Sequence, residues 1–404
     1  MKNLIVVICS CCLLFMSSHA QPKTPFSSAI TGNTSSPDFF LVRTKGILPY
    51  MEYGPGDDRL GGAKMTYLDS GVLLKVIDSL GTDYIVALTS SLHAFIQKTS
   101  VISDTVTKVK SHYLSGNWKT YQDNRFDHIV VTMPDRLPYR GTMQVSPSRL
   151  IIDLFGITSN TNWITQVGQL REVANTWYEQ MENGMLRVYV DLKSSMHWGY
   201  SVHYDSTGSK LDIRIKHAPA KNLKQLFVAV DAGHGGNNTG AAGDIYGKAE
   251  KVLTLEYARA LEKELKRAGV KRVFMTRRTD TSLSMPERIM MLRDTMPDIL
   301  LSIHFNSSSV DTVNGTSTFY RHIGFRPLTQ VILNRMKQLG LNEFGNVGSF
   351  NFALSGPTEY PNCLVEVAFL SNPADERFIM HKKSPEKVAR KIREGLTDWL
   401  RLIK

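Results

Sequence analysis

Val228-Ala-Val-Asp-Ala-Gly-His-Gly-Gly236 is an apolar run that breaks into a glycine-rich turn with His234 at its tip. A short run of this kind ended by glycine is the pattern of a central strand in an α/β sheet, and open sheets of that class bind ligands beyond the carboxyl ends of their strands. The same form recurs twice. Ile299-Leu-Leu-Ser-Ile303 delivers His304, and Cys363-Leu-Val365 delivers Glu366. Glu250 opens the helix expected after the first strand. Four metal-competent or proton-transfer side chains are therefore expected on one edge of one sheet.

Outward from that run, strand and helix signals alternate to the end of the chain, which argues for a sheet flanked by helices. The spacing predicts a helix over 250–268 with Val252, Leu255, Ala258, Leu261 and Leu265 on its apolar face, and Gly269 as its stop. Arg272-Val-Phe-Met-Thr276 reads as the next strand. Ser284-Met-Pro-Glu287 reads as a capping box. Further helices are expected over 328–339 and from Ser384, the last burying Val388, Ile392, Leu396, Trp399 and Ile403.

The 404 residues carry a formal net charge of +11, which suits an acidic polymer without saying which. Lys2, the apolar stretch 4–16 and Ser18-His-Ala20 form a signal peptide, residues 1–20, so the protein is expected to be exported to the periplasm or cell envelope. Cys9, Cys11 and Cys12 fall inside it. Ile8-Cys-Ser-Cys11 loosely resembles a lipoprotein box but comes too early to leave a normal apolar region before it. Cys363 remains, more simply a small core residue than a reactive thiol. No other stretch is apolar for long enough to span a bilayer.

Residues 21–37, rich in Ser, Thr, Pro and Gly, read as a flexible leader. Short strands between turns follow, over 39–42, 72–77, 84–88 and 94–96. They predict a small all-β barrel over 38–110. A second β region, 118–218, contains two near-copies of one phrase, Arg149-Leu-Ile-Ile-Asp-Leu154 and Leu186-Arg-Val-Tyr-Val-Asp-Leu192. Trp163, Trp177 and Trp198 lie in it, and isolated tryptophans are more often core than sugar-stacking surface.

Two histidines and a carboxylate are a donor set that leaves one zinc position open, as a hydrolase needs. Taken singly, His234 is more simply a turn histidine, Glu250 a helix-start acid and His304 a strand-end histidine. Their joint placement favours the ligand reading.

Asp231-Ala-Gly-His-Gly-Gly236, Glu250-Lys251, Thr276-Arg-Arg-Thr-Asp280, Glu287-Arg288, Ser302-Ile-His-Phe-Asn306 and Leu364-Val-Glu-Val-Ala-Phe-Leu-Ser-Asn372 together resemble the zinc-dependent N-acetylmuramoyl-L-alanine amidases of the bacterial cell wall. The resemblance implies a catalytic domain over 225–404, with Zn2+ held by His234, Glu250 and His304 and with Glu366 as the catalytic carboxylate. Asp231, Arg277, Arg288 and Asn306 would support them. It further implies cleavage of the amide between N-acetylmuramic acid and the L-alanine of the stem peptide. Peptidoglycan, not nucleic acid, would be the partner. The 38–110 region resembles a bacterial Src-homology-3-like fold and the 118–218 region an AMIN domain, which implies envelope targeting. Residues 222–404 alone are accordingly expected to cleave small soluble fragments. Two departures stand out: Ser355 occupies a place where the family commonly has Arg or Lys, and about twenty residues between Asn306 and Pro327 leave no room for the helical plug of some relatives. A zinc peptidase cutting within the stem peptide and an inactive wall-binding scaffold are the rival readings.

Overall fold

The computed structural model describes residues 39–56, 60–108, 110 and 112–403. The expected signal peptide with Cys9, Cys11 and Cys12, and the expected leader, lie outside them.

The front half is built of antiparallel sheet with a few short parallel pairings. Its first sheet has seven strands in the order Lys64–Tyr67, Tyr50–Glu52, His93–Gln97, Asp83–Ala87, Leu73–Leu80, Phe40–Thr44 and Val101–Ser103. Four of these follow the expected runs. Tyr50–Glu52, Lys64–Tyr67 and Val101–Ser103 are short strands that carry too few residues to show a period.

A five-stranded and a four-stranded sheet follow, sharing one apolar filling. The two near-copied phrases are neighbours in the four-stranded sheet, paired antiparallel from Arg149 opposite Asp191 to Leu154 opposite Leu186. Each buries alternate residues, Leu150, Ile152 and Leu154 from one and Leu186, Val188 and Val190 from the other, as the period of two along a strand requires. The apolar core runs without a break from Val42 through Ile215, and Phe325 of the last region joins it. Of the three tryptophans, Trp198 is buried against Trp399 of the final helix, 5.6 Å between rings, whereas Trp163 is 60% exposed.

The last region holds a six-stranded sheet ordered Arg272–Met275, Phe227–Ala232, Ile299–Asn306, Asn362–Phe369, Thr316–Phe319 and Glu343–Val347. The first four strands run parallel; Thr316–Phe319 is antiparallel to Asn362–Phe369. The residues between Asn306 and Pro327 thus hold a strand.

One face of this sheet, with Val228, Val230, Leu301, Ile303, Phe305, Val365 and Val367, packs on helices Glu250–Arg267, Arg326–Met336 and Ser384–Arg401. The opposite face meets helix Met285–Thr295 and the turn Ala353–Ser355. The capping box forms as expected, with Ser284 and Glu287 exchanging side-chain and backbone hydrogen bonds. The first helix corrects the expected apolar face. Its buried apolar positions are Leu253, Tyr257, Ala258, Leu261 and Leu265, while Val252 is 44% exposed. Cys363 is a buried free thiol, and burial pushes its pKa well up, which makes it an inert core residue.

Candidate functional site

Because successive strand residues face opposite sides, the sheet face away from the three helices is set by Asp231, Ser302, His304, Leu364 and Glu366. Asp231 lies opposite Ser302, and His304 lies opposite Glu366, in the parallel ladders. Polar side chains thus replace the aliphatic ones of the other face at the carboxyl ends of the central strands.

Asp231 is buried and receives hydrogen bonds from Thr276 Oγ1 at 2.6 Å and Ser302 Oγ at 2.7 Å, beside the Arg288 guanidinium. Burial alone would raise its pKa, but the charge of Arg288 and these two hydroxyls hold it below the usual carboxylate range. Arg288 also donates to Ala232 O and His234 O, and Arg277 donates to Ala232 O at 2.9 Å and Gly233 O at 2.8 Å. Every carbonyl of the turn over 232–234 is therefore held by an arginine. That grip matters because His234 has φ of 60°, a left-handed conformation unfavourable for a residue with a side chain.

The turn brings three donors together. His234 Nε2 lies 3.0 Å and His304 Nδ1 3.1 Å from the same oxygen, Glu250 Oε1, and one ligand atom from each residue falls within 4.8 Å of the others. The two rings stand 4.9 Å apart at 72°. His234 is oriented through Nδ1, which lies 2.8 Å from Asn238 Oδ1. Glu250 is fully buried, and its second oxygen accepts from Ala241 N at 3.0 Å. Burial works against its charge, yet the two histidines hold its pKa far below the usual range; reciprocally, Glu250 raises that of His234 against the effect of burial.

Two glycines make the space. A Cβ on Gly233 would come 2.2 Å from the His304 ring, and one on Gly240 would come 2.4 Å from Glu250 Oε2. The donor set, two imidazoles and a carboxylate turned inward on one point, fits a divalent metal of the zinc type. Glu366 is fully buried in the neighbouring strand, with its pKa driven well up by burial and then by the charge of Glu250.

All four residues singled out in the sequence are thus close neighbours. Asp231, Arg277 and Arg288 brace the turn. Phe352, whose ring lies 6.3 Å from that of His304 at 14°, was not signalled by any spacing. Ser355, at the place where the family commonly has Arg or Lys, is buried, 1% exposed.

Residues 228–398 match the family model described as N-acetylmuramoyl-L-alanine amidase. The chain is 28% identical over 257 residues to a Staphylococcus saprophyticus protein named "Probable cell wall amidase LytH", covering 60% of this chain and 84% of that one. It is 30% identical over 190 residues to the Staphylococcus aureus protein of the same name, spanning 46% of this chain and 63% of the relative. Among solved structures, the catalytic domain of CwlV, an N-acetylmuramoyl-L-alanine amidase from Bacillus (Paenibacillus) polymyxa, is 31% identical, with 44% of this chain and 99% of that chain covered and a TM-score of 0.42. Residues 228–398 therefore form an N-acetylmuramoyl-L-alanine amidase domain, and the chain is a hydrolase that acts on the cell wall.

Proposed function

We propose that this amidase holds Zn2+ between His234, Glu250 and His304 and uses Glu366 as its general acid and base. The observation that carries the reading is the single buried oxygen of Glu250 facing both imidazoles, with Glu366 opposite His304 in the adjacent strand. Zinc bound there would supply Lewis acidity to the scissile carbonyl and to water. The substrate bond is the amide between the lactyl group of N-acetylmuramic acid and L-alanine. Glu366 takes the proton from the attacking water and returns it to the nitrogen of the departing L-alanine. Asn238 holds His234 in the tautomer that turns Nε2 toward the donor cluster. The Arg277 and Arg288 contacts keep the turn from relaxing out of the left-handed conformation.

The same reading takes residues 1–20 as an export signal, places the mature protein in the periplasm or envelope, and assigns wall targeting to the Src-homology-3-like region at 38–110 and the AMIN-like region at 118–218. No helix among the described residues is long and apolar enough to cross a membrane.

The test is digestion of purified muropeptides by the full chain, with products identified by mass spectrometry, alongside metal analysis of the protein. Free glycan, intact stem peptide and about one zinc per chain are the expected outcome. Cut peptide would replace this reading with a stem-peptide peptidase. No cleavage by zinc-loaded protein would leave a wall-binding scaffold.

A further inference from the structure

The segment over residues 348–360 leads into the strand that carries Glu366, and the front half grips it at two places. Asn351 sits between two phenylalanines, of which Phe352 faces the site. Phe352 lies along the His304 ring, Phe350 packs on Phe352 with ring centres 4.4 Å apart, and Phe319 closes the group at 5.0 and 5.7 Å.

The Asn351 carboxamide engages the turn that leads into an edge strand of the first β sheet, and Lys64 at the start of that strand. Its Nδ2 donates to Leu60 O at 3.2 Å and Gly62 O at 2.8 Å, and its Oδ1 accepts from Lys64 N at 3.2 Å and from Arg321. Arg321 also donates to Lys64 O. A carboxamide has two donor hydrogens and two acceptor lone pairs, and all four are used here. Three of the four partners are backbone groups of residues 60–64, so the match depends on how that sheet edge is placed against the segment.

The second grip lies further along, at Thr358. Tyr200 N donates to Thr358 O at 2.8 Å, and Thr358 Oγ1 donates to Tyr200 O at 2.9 Å. Gly199 lies so close that a Cβ there would come 2.4 Å from Glu359 O, and its φ of 113° suits glycine. The loop beside the site is thus fixed from outside the amidase domain.

We propose that Asn351 is a positioning residue for the amidase reaction, through which the first β sheet holds Phe352 against His304. The proposal rests on the site assignment above. It gives the front half a part in the chemistry itself: it supplies the far wall of the loop that orders the His304 side of the site, beyond any hold on the polymer. Reacting groups misplaced by about 1 Å lose up to about a hundredfold in rate, so loosening this loop should register in kcat.

The experiment uses the full chain with Asn351→Ala and Asn351→Asp, the latter keeping size and acceptor oxygens while losing both donors to Leu60 O and Gly62 O. Three quantities are read: kcat and KM on a small soluble muramyl peptide, melting temperature, and deuterium exchange over residues 348–358 and 299–306. Both variants are expected to melt like the parent and to exchange faster over 348–358 but not over 299–306. They should lose about tenfold in kcat with KM changed by less than about twofold. Parent-like kcat with a loosened segment, or parent-like exchange over 348–358, would overturn the proposal. A parent chain that fails to cut the amide would refute the site reading instead, and the exchange measurement would still decide whether Asn351 fixes the segment.

Discussion

His234 combines two demands that rarely fall on one residue, a left-handed backbone and an inward-facing imidazole, and the structure meets both with its neighbours. Gly233 shows how narrow the margin is. With a Cβ 2.2 Å from the His304 ring, Gly233→Ala must displace either that ring or the turn that carries Gly233. The expected outcome is a folded protein with at least about tenfold weaker metal binding, measured by titration with a competing chelator. Glu366→Gln makes the opposite separation. It preserves shape and leaves the three donors in place, so metal content should match the parent, while kcat falls by about a hundredfold or more because the amide can neither take nor return a proton. Loss of metal in that variant would make Glu366 a ligand. The close placement of His234, Glu250, His304 and Glu366 was legible because His234 follows a strongly patterned strand, Glu250 opens a patterned helix, and His304 and Glu366 lie in apolar strand runs. Phe352 was not, because nothing local distinguishes an aromatic that leans on a ligand from one that fills a core.

At the level of elements, the legible parts were those whose periodicity is long and undisturbed. The final helix buries Val388, Ile392, Leu396 and Trp399 as its spacing demands, and Ile403 just beyond its end is buried with them. The Glu250–Arg267 helix was legible in position but not in rotation. Val252 and Leu253 stand side by side near its start, and only the sheet decides that Leu253 turns inward. Leu261→Ala should therefore cost about 2–5 kcal/mol of unfolding free energy, and Val252→Ala less than about 1 kcal/mol, in urea titrations. Two strands of the amidase sheet escaped the pattern altogether. Thr316–Phe319 is buried on both faces, so its polar residues show no alternation, and Glu343–Val347 is an edge strand with a glycine in its middle. Thr316 and Thr318 tolerate burial through hydrogen bonds to Glu366 O, Thr329 O and Asn346 Oδ1, partners a linear reading cannot assign.

For the whole molecule, packing crosses the boundaries drawn from composition. Val42 and Ile215 belong to one core, Phe325 enters it, and Trp198 meets Trp399. The expectation that residues 222–404 act alone on small substrates and the proposal that the front half helps to shape the site predict opposite outcomes for that fragment. The junction also carries a proton-linked term. His322 lies where the regions meet, bonded through Nε2 to Gly356 O at 2.9 Å; burial, reinforced by Arg321 and His197, lowers its pKa to about 4. A histidine with a depressed folded-state pKa contributes its full stability above the unfolded value near 6.5 and loses it as pH falls from there toward 4. Melting temperature should drop between pH 7 and pH 4.5, by an amount worth up to about 3 kcal/mol, and His322→Gln should flatten that slope. Wall binding belongs to this scale too: if the excess of basic residues contributes, pelleting of the full chain with purified sacculi should weaken along a salt series.

The hydrogen bond between Asn351 and Leu60 joins residues 291 positions apart. Synthesis delivers the first β sheet long before its partner segment exists, and loop-closure entropy disfavours so long a ring until both ends are already folded. The catalytic site is accordingly expected to form late in maturation. On the site reading above, a chain still emerging, or one cut short before Asn351, has the three ligand residues but lacks both that loop and Glu366, so wall cutting would await the rest of the polypeptide. Refolding followed in time should show circular dichroism returning ahead of hydrolysis.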